Sequence, residues 1–265
     1  MGTGADGSGS SGAYGDLSRP PLRARALRTS LAPDGWRVEV VQVTGSTNAV
    51  ASERALAGEP AGLVVVAESQ TAGRGRLDRT WVSPPRAGLT LSVLVRPDLP
   101  PVRWPWLPLL TGLAVSTALR ERAELDAVLK WPNDVLVDER KLCGVLAEVP
   151  APGAAVLGIG LNVTTRAAEL PHAAATSVAL AGGSTTDRGT LLRAVLRALG
   201  GVLGDVEAAR VAYRERCSTL GRSVRLQLPG DTTVEGVAEA VDDVGRLVVA
   251  GRAYGAGDVV HLRPA

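Results

Sequence analysis

The stretch AVLKWPNDVLVDERKLCG, residues 127–144, holds β-rich runs at Ala127–Leu129 and Val135–Val137, with a third beginning at Leu142. Pro132 fixes its own φ and keeps Trp131 extended, so the chain must turn directly after an apolar strand. Asp138 and Glu139 read as the link of a hairpin that would carry Lys141 back beside Asp134. An Asn133-Asp134 pair at a strand end, faced by a lysine, puts polar chemistry where α/β folds place ligands. The alternative at these positions is a plain turn with Trp131 plugging the core and a surface salt bridge worth little.

Outward from this stretch, strand and helix signals interleave. Downstream, Leu142–Val149 and Val156–Leu161 read as strands, and a helix runs from about Arg188 to Arg210 behind Asp187 as N-cap. Upstream, Val38–Val43, Gly62–Ala67 and Leu89–Val95 are β-rich or apolar strands. Helical spacing marks Arg19–Leu31, started by Pro20-Pro21, then Thr47–Ala57 and Leu107–Arg122. The main body is therefore a mixed α/β (α+β) domain. After Cys217 the character changes. Ser223–Leu228, Thr232–Val241, Arg246–Val249 and Val259–Leu262 are short strands separated by turns at Pro229-Gly230-Asp231 and Asp242–Gly245, which suggests a small appended β-barrel. The expected division is a disordered Gly/Ser tail over 1–18, a main domain over 19–217 and the barrel over 218–265.

Composition narrows the function classes. The net charge of the 265 residues is only +2, which gives no basic surface for nucleic acid. Three helices of roughly 11 residues each would leave no room for turns ahead of Trp36, so a helix-turn-helix domain is not expected there. No apolar run reaches the roughly 18 residues a membrane helix needs, and the first residues lack the apolar core of a signal peptide. Cys143 and Cys217 are far apart and read as free thiols of a reducing cytoplasm.

Residue choice is more telling. Of 29 basic residues only Lys130 and Lys141 are lysine, and asparagine occurs only at Asn48, Asn133 and Asn162. A sequence biased this strongly keeps lysine and asparagine where arginine and aspartate would fail. An ammonium and a guanidinium fork are not interchangeable at a phosphate or carboxylate, and only an amide offers a donor together with an acceptor.

Further motifs surround these positions. Gly73-Arg74-Gly75-Arg76 sits in a long loop, after Gln70 and before Arg79 and Trp81. Glycines allow close backbone approach to an anion and arginines supply bidentate donors; a solvated basic loop is the alternative. Gly45-Ser46-Thr47-Asn48 opens a helix, where a hydroxyl N-cap explains one of Ser46 and Thr47 but not Asn48. Gly158-Ile159-Gly160-Leu161-Asn162 ends an apolar strand, and its alternate glycines would let a ligand approach one face. There is no phosphate-binding G-x-x-x-x-G-K-[ST] loop, and His172 and His261 have no neighbours in sequence that would make a zinc site.

Taken together and in this order, these segments resemble the biotin protein ligase (holocarboxylase synthetase) family, of the type without an N-terminal DNA-binding domain. The resemblance spans about Trp36 to Asn162; its specific elements are Lys130-Trp131-Pro132-Asn133-Asp134 and Gly73-Arg74-Gly75-Arg76. It implies a mixed sheet backed by helices, an SH3-like C-terminal barrel, and an ATP-dependent ligase that forms biotinyl-5′-AMP and passes biotin to a lysine of a biotin carboxyl carrier domain. For biotin it implies Ser46, Thr47, Asn48, Gln70, Arg74, Gly75, Arg76, Lys141 and Gly144. For ATP and the adenylate it implies Arg76, Arg79, Trp81, Lys130, Asn133, Asp134, Lys141 and Asn162, with Asp134 also organising Mg²⁺. Lys141, Arg76 and Asp134 are the expected catalytic residues. The implied partner is the carrier domain of a biotin-dependent carboxylase such as acetyl-CoA carboxylase, in the cytoplasm, with a weak homodimer and with neither DNA nor membrane. Asp78 stands where the family loop usually has glycine. Two other readings remain: a lipoate or octanoate ligase, whose Arg-Arg-x-Ser-Gly-Gly-Gly signature is missing here, and a non-catalytic biotin sensor, against which Lys141 with Asp134 argues.

Overall fold

The computed structural model describes residues 16–77, 79–228 and 232–262. The Gly/Ser segment up to residue 15, Asp78 and the turn at 229–231 lie outside the described residues. Helix α1 (Ala24–Leu31) precedes β1 (Arg37–Thr44), α2 (Thr47–Leu56), β2 (Leu63–Gln70) and β3 (Gly88–Val95). Next come α3 (Trp106–Ala123), β4 (Val128–Lys130), β5 (Asp134–Val137), β6 (Arg140–Ala151) and β7 (Ala154–Asn162). Two helices, α4 (Arg188–Gly204) and α5 (Val206–Arg216), lead into β8 (Ser223–Gln227), β9 (Thr233–Val241), β10 (Leu247–Val249), β11 (Arg252–Tyr254) and β12 (Asp258–His261).

Strands β1 to β7 form one sheet in the order β1-β2-β3-β7-β6-β5-β4, parallel between β1 and β2 and antiparallel elsewhere. The pleat sends alternate side chains to opposite faces. On one face Val64, Val66, Leu89, Leu91, Val93, Leu157 and Ile159 join the large core beneath α3 and α4. On the other face Leu63, Val65, Leu94 and Val156 pack on Ala51 and Ala55 of α2. Helix α2 covers only one end of that second face. Past the body of α2, the same alternation presents Ser92, Gly158, Gly160 and Asn162; Asn48 of α2 lies over the first two, and the stretch beyond becomes the site.

The expected helix over 188–210 is two helices. Asp187 caps α4, accepting from the Thr190 N–H at 2.6 Å, as the sequence suggests. After Gly204 the chain breaks, and Asp205 caps α5 by accepting from the Ala208 N–H at 3.0 Å. Helix α1 is also shorter than expected and starts at Ala24, because the Pro20 carbonyl and the Leu22 N–H are bonded to side chains of the body instead. The buried Glu68 carboxylate accepts from the Leu22 N–H at 2.6 Å and pairs with Arg188 at 2.8 Å, while Arg188 donates to the Pro20 carbonyl at 2.7 Å. Residues 16–18, read from sequence as part of the tail, are in contact with the body through an Arg166–Asp16 ion pair of 2.8 Å.

The C-terminal strands form an antiparallel sheet in the order β11-β10-β9-β8-β12, including β11, which the sequence reading missed. Strand β9 pairs with β8 through its first half and with β10 through its second, so it bends across both. Trp131 ties this unit to the main sheet. Its indole is buried and donates to the Gly245 carbonyl at 3.1 Å, while its backbone N–H donates to Thr219 Oγ1 at 3.1 Å. Trp131 is therefore the core plug, and only its neighbours Asn133 and Asp134 reach the site.

Candidate active site

A cavity of about 310 Å³ opens over the uncovered sheet face. Every residue expected from sequence lines it except Lys130. Lys130 stands opposite Asp134 in the β4–β5 register, where burial lowers its pKa and Asp134 acts against that. It is a neighbour of the site that does not face the cavity.

One wall is uncharged and built on regular elements. Ser46 caps α2, its hydroxyl facing the Ala49 N–H at 3.5 Å. Gln70, at the end of β2, accepts from the Thr47 backbone N–H at 2.7 Å and faces the Thr47 hydroxyl at 3.0 Å. Ser92 on β3 lies 2.8 Å from Thr47 Oγ1 and 2.5 Å from Asn48 Oδ1, and Asn48 Nδ2 donates to Glu148 at 2.7 Å. The alternate glycines of β7 serve this wall in a way the sequence did not reveal. A Cβ at Gly158 would collide with the Asn48 amide, and one at Gly160 with the Trp81 indole, so protein side chains take the close approach first.

The opposite wall is charged. Asp138 and Glu139 both have positive φ and join β5 to β6 as a two-residue link, the backbone of a tight hairpin turn. That turn brings Lys141 Nζ to 2.7 Å from Asp134 Oδ1. The Lys141 backbone is held on both sides, its N–H donating to the Ala174 carbonyl at 2.7 Å and its carbonyl accepting from the Thr176 N–H at 2.8 Å. The loop after Gln70 folds into a small hairpin of its own, with Gly75 N–H donating to the Arg79 carbonyl at 2.7 Å and Trp81 N–H to the Gly73 carbonyl at 2.9 Å. Its arginines are already engaged. Arg74 meets Glu148 at 2.9 Å, Arg76 donates to Asn133 Oδ1 at 3.1 Å, and Arg79 pairs with Asp258. Burial lowers the Arg76 pKa while Asp258 and Asp134 hold it up; a guanidinium remains charged throughout.

The asparagines show why an amide is required. Asn133 accepts from Arg76 and donates to the Val145 carbonyl at 3.0 Å, and Asn48 also uses both ends. Asn162 donates to the Thr176 carbonyl at 3.0 Å, fastening the segment that carries Pro171, His172 and Ala175 to the cavity rim. An aspartate has no amide hydrogens for any of these contacts.

Comparison with known proteins identifies the family. Residues 40–163 match the profile of the "Biotin/lipoate A/B protein ligase family", and residues 219–262 that of the "Biotin protein ligase C terminal domain". The biotin--[acetyl-CoA-carboxylase] ligase of Mycobacterium tuberculosis is 46% identical over 94% of this chain and 98% of its own length. This chain belongs to the biotin protein ligases. Among solved structures of the family, that of Aquifex aeolicus in complex with biotin and ATP is similar with a TM-score of 0.73 at 30% identity, covering 86% of this chain and 99% of that one. A Leishmania major biotin protein ligase in complex with biotinyl-5-AMP gives a TM-score of 0.61 at 28% identity, over 86% and 99% of the two chains.

Among the residues that line or brace the cavity, Ser92, Glu148 and Asp258 were not singled out in the sequence. Ser92 and Glu148 are polar residues flanked by apolar ones within their strands, a signal that was present but not weighed. Asp258 comes from β12 of the appended unit, whose sequence carries no hint that it reaches the cavity. Among the described residues no group of three His, Cys, Asp or Glu side chains could hold a metal ion by itself.

Proposed function

We propose that this cavity activates biotin with ATP to biotinyl-5′-AMP and passes the biotinyl group to a lysine of a carrier domain. The observation that supports this most is the meeting of two unlike walls in one cavity. An uncharged amide-and-hydroxyl wall suits a neutral fused ring, and Lys141, Arg74, Arg76 and Arg79 face it. In the first step a biotin carboxylate oxygen attacks the α-phosphorus, and the bond to the β-phosphate bridging oxygen breaks, releasing pyrophosphate. Both reactants are anions, so fixed cations that strengthen their contacts as charge builds on the α-phosphate lower the barrier. Lys141 is the leading candidate because its backbone is pinned and its ammonium is held at the cavity, with Arg76 beside it. In the second step a lysine amine attacks the acyl carbon and AMP leaves. The arginine hairpin is placed to shield the anhydride from water meanwhile.

Asp134 offers a single carboxylate to the cavity. That fits Mg²⁺ delivered on the nucleotide, which typically takes one or two protein carboxylates together with phosphate oxygens. Bound there, the ion would neutralise phosphate charge, with Asp134 and Lys141 no longer paired only to each other.

The carrier is the biotin carboxyl carrier domain of acetyl-CoA carboxylase, in line with the substrate named for the Mycobacterium relative. Two free buried thiols suit the cytoplasm, and no helix among the described residues is long and apolar enough to cross a membrane. The reading also includes a weak homodimer, which sedimentation at rising concentration would reveal. The direct test mixes the protein with biotin and MgATP and follows pyrophosphate. Biotin-dependent release, and labelling of a carrier domain, are expected. Release with lipoate instead of biotin, or none with either, would overturn the reading.

A further inference from the structure

The uncharged wall contains a chain of oxygens with too few hydrogens. Gln70 Oε1, Thr47 Oγ1, Ser92 Oγ and Asn48 Oδ1 lie in sequence at 3.0, 2.8 and 2.5 Å. These three contacts each need a hydrogen, but only the two hydroxyls can supply one. Both ends are acceptors by necessity. Gln70 must turn its oxygen toward the Thr47 backbone N–H at 2.7 Å. Asn48 must turn its nitrogen toward the Glu148 carboxylate at 2.7 Å, which leaves its oxygen facing Ser92. One contact in the chain therefore lacks its hydrogen, and a buried acceptor without a donor is costly.

We propose that Glu148 is a specificity-determining positioning residue. By fixing the Asn48 amide, it keeps this network one hydrogen short, so that the site selects a ring system bearing N–H donors. This rests on the proposed biotin reading, in which the ring is a cyclic urea with two N–H groups. A ligand N–H supplies what the network lacks, whereas a dithiolane ring with no N–H cannot. Glu148 also holds Arg74 at 2.9 Å, so arrival of the ligand carboxylate can draw Arg74 away while Asn48 keeps its partner.

Glu148→Gln removes the constraint. The new side-chain amide can donate to Asn48 Oδ1, which lets Asn48 turn its nitrogen to Ser92 and satisfy the chain internally. The test is calorimetric titration of the wild-type protein, Glu148→Gln and Glu148→Asp with biotin and with biotin methylated on both ring nitrogens. The wild type is expected to prefer biotin strongly, and Glu148→Gln to lose about tenfold or more of that preference. Glu148→Asp, which keeps an acceptor-only group, should retain most of it. A purely structural role would weaken both ligands equally and leave the ratio unchanged. An unchanged ratio in Glu148→Gln, or an equal collapse in Glu148→Asp, would overturn the inference. Should Glu148→Gln fail to fold, Glu148→Met, which also frees the Asn48 amide to turn, takes its place, with the same loss of preference expected and an unchanged ratio overturning the inference. Failure of the wild type to bind biotin at all would instead remove the functional reading beneath it.

Discussion

The two walls of the cavity are built on opposite plans. The uncharged wall, from Ser46 to Asn48 with Gln70 and Ser92, stands on α2, β2 and β3, and its groups are bonded to one another in place, braced by the Glu148 carboxylate of β6. The charged wall stands largely on a hairpin loop and a turn, and each cation is paired with an internal anion or amide: Lys141 with Asp134, Arg74 with Glu148, Arg76 with Asn133, and Arg79 with Asp258. A neutral ring offers little electrostatic attraction, so its recognition depends on donors and acceptors set beforehand by rigid elements. Anionic groups can exchange for internal carboxylates, so a wall that meets them can be assembled from pairs that open. On the proposed reading, the first wall recognises by staying still and the second works by changing partners.

The comparison predicts unequal responses to mutation. The largest falls on the charged wall. Lys141→Ala should lower pyrophosphate release roughly 100- to 1,000-fold, the usual effect of losing one preorganised donor. Its circular dichroism and melting should stay near wild type, because the contacts that position Lys141 are made by its backbone. Activity within a few-fold of wild type would remove Lys141 from the chemistry. On the uncharged wall, Asn48→Ala removes the acceptor facing Ser92 and the donor facing Glu148, which keep only Thr47 and Arg74. A cost of about 1–3 kcal/mol is expected, which is roughly 5- to 150-fold in biotin affinity, with much less effect on the KM for ATP.

Much of this contrast was visible in the sequence, for a physical reason. The strong bias toward arginine and away from asparagine left asparagine only at Asn48, Asn133 and Asn162, all of which line the cavity and donate an amide hydrogen that aspartate lacks. Of the two lysines that the same bias singled out, Lys141 lines the cavity and Lys130 does not, since composition cannot say which way a strand residue faces. The strand order of the main sheet followed from alternation and turn chemistry only in part. The break at Asp205 was hidden because Gly200, Gly201 and Gly204 continue the helix to the very residue where it stops. Asp258 could not be read at all, because its role depends on how the β-unit docks, and that docking is set by distant contacts such as Trp131 with Gly245.

Smaller effects sharpen the comparison further. Asp258→Ala frees Arg79 and removes a nearby charge from Arg76. Since Arg79 is 65% exposed, the pair should contribute at most about 1 kcal/mol, and hydrogen exchange over residues 74–81 should quicken while that over 47–56 does not. Equal quickening in both segments would mean that the walls are not independent. The smallest effect lies behind both walls. Burial lowers the His261 pKa from its ordinary 6.5, with Lys130 adding to the shift and Glu139 opposing it. The unfolded chain therefore takes up a proton first as pH falls, and stability present above 6.5 is lost as pH drops through the depressed folded value. His261→Gln should flatten the dependence of the melting temperature on pH between about 7 and 5.5. An unaltered slope would show that His261 does not titrate in this way.

The most direct test is a crystal structure with biotinyl-5′-AMP bound. The account predicts that Asn48, Ser92 and Glu148 keep their positions while the Lys141 ammonium leaves Asp134 for the phosphate and carboxyl oxygens. Lys141 still paired with Asp134 and out of reach of the ligand, or an Asn48 amide that has turned away from Glu148, would contradict it.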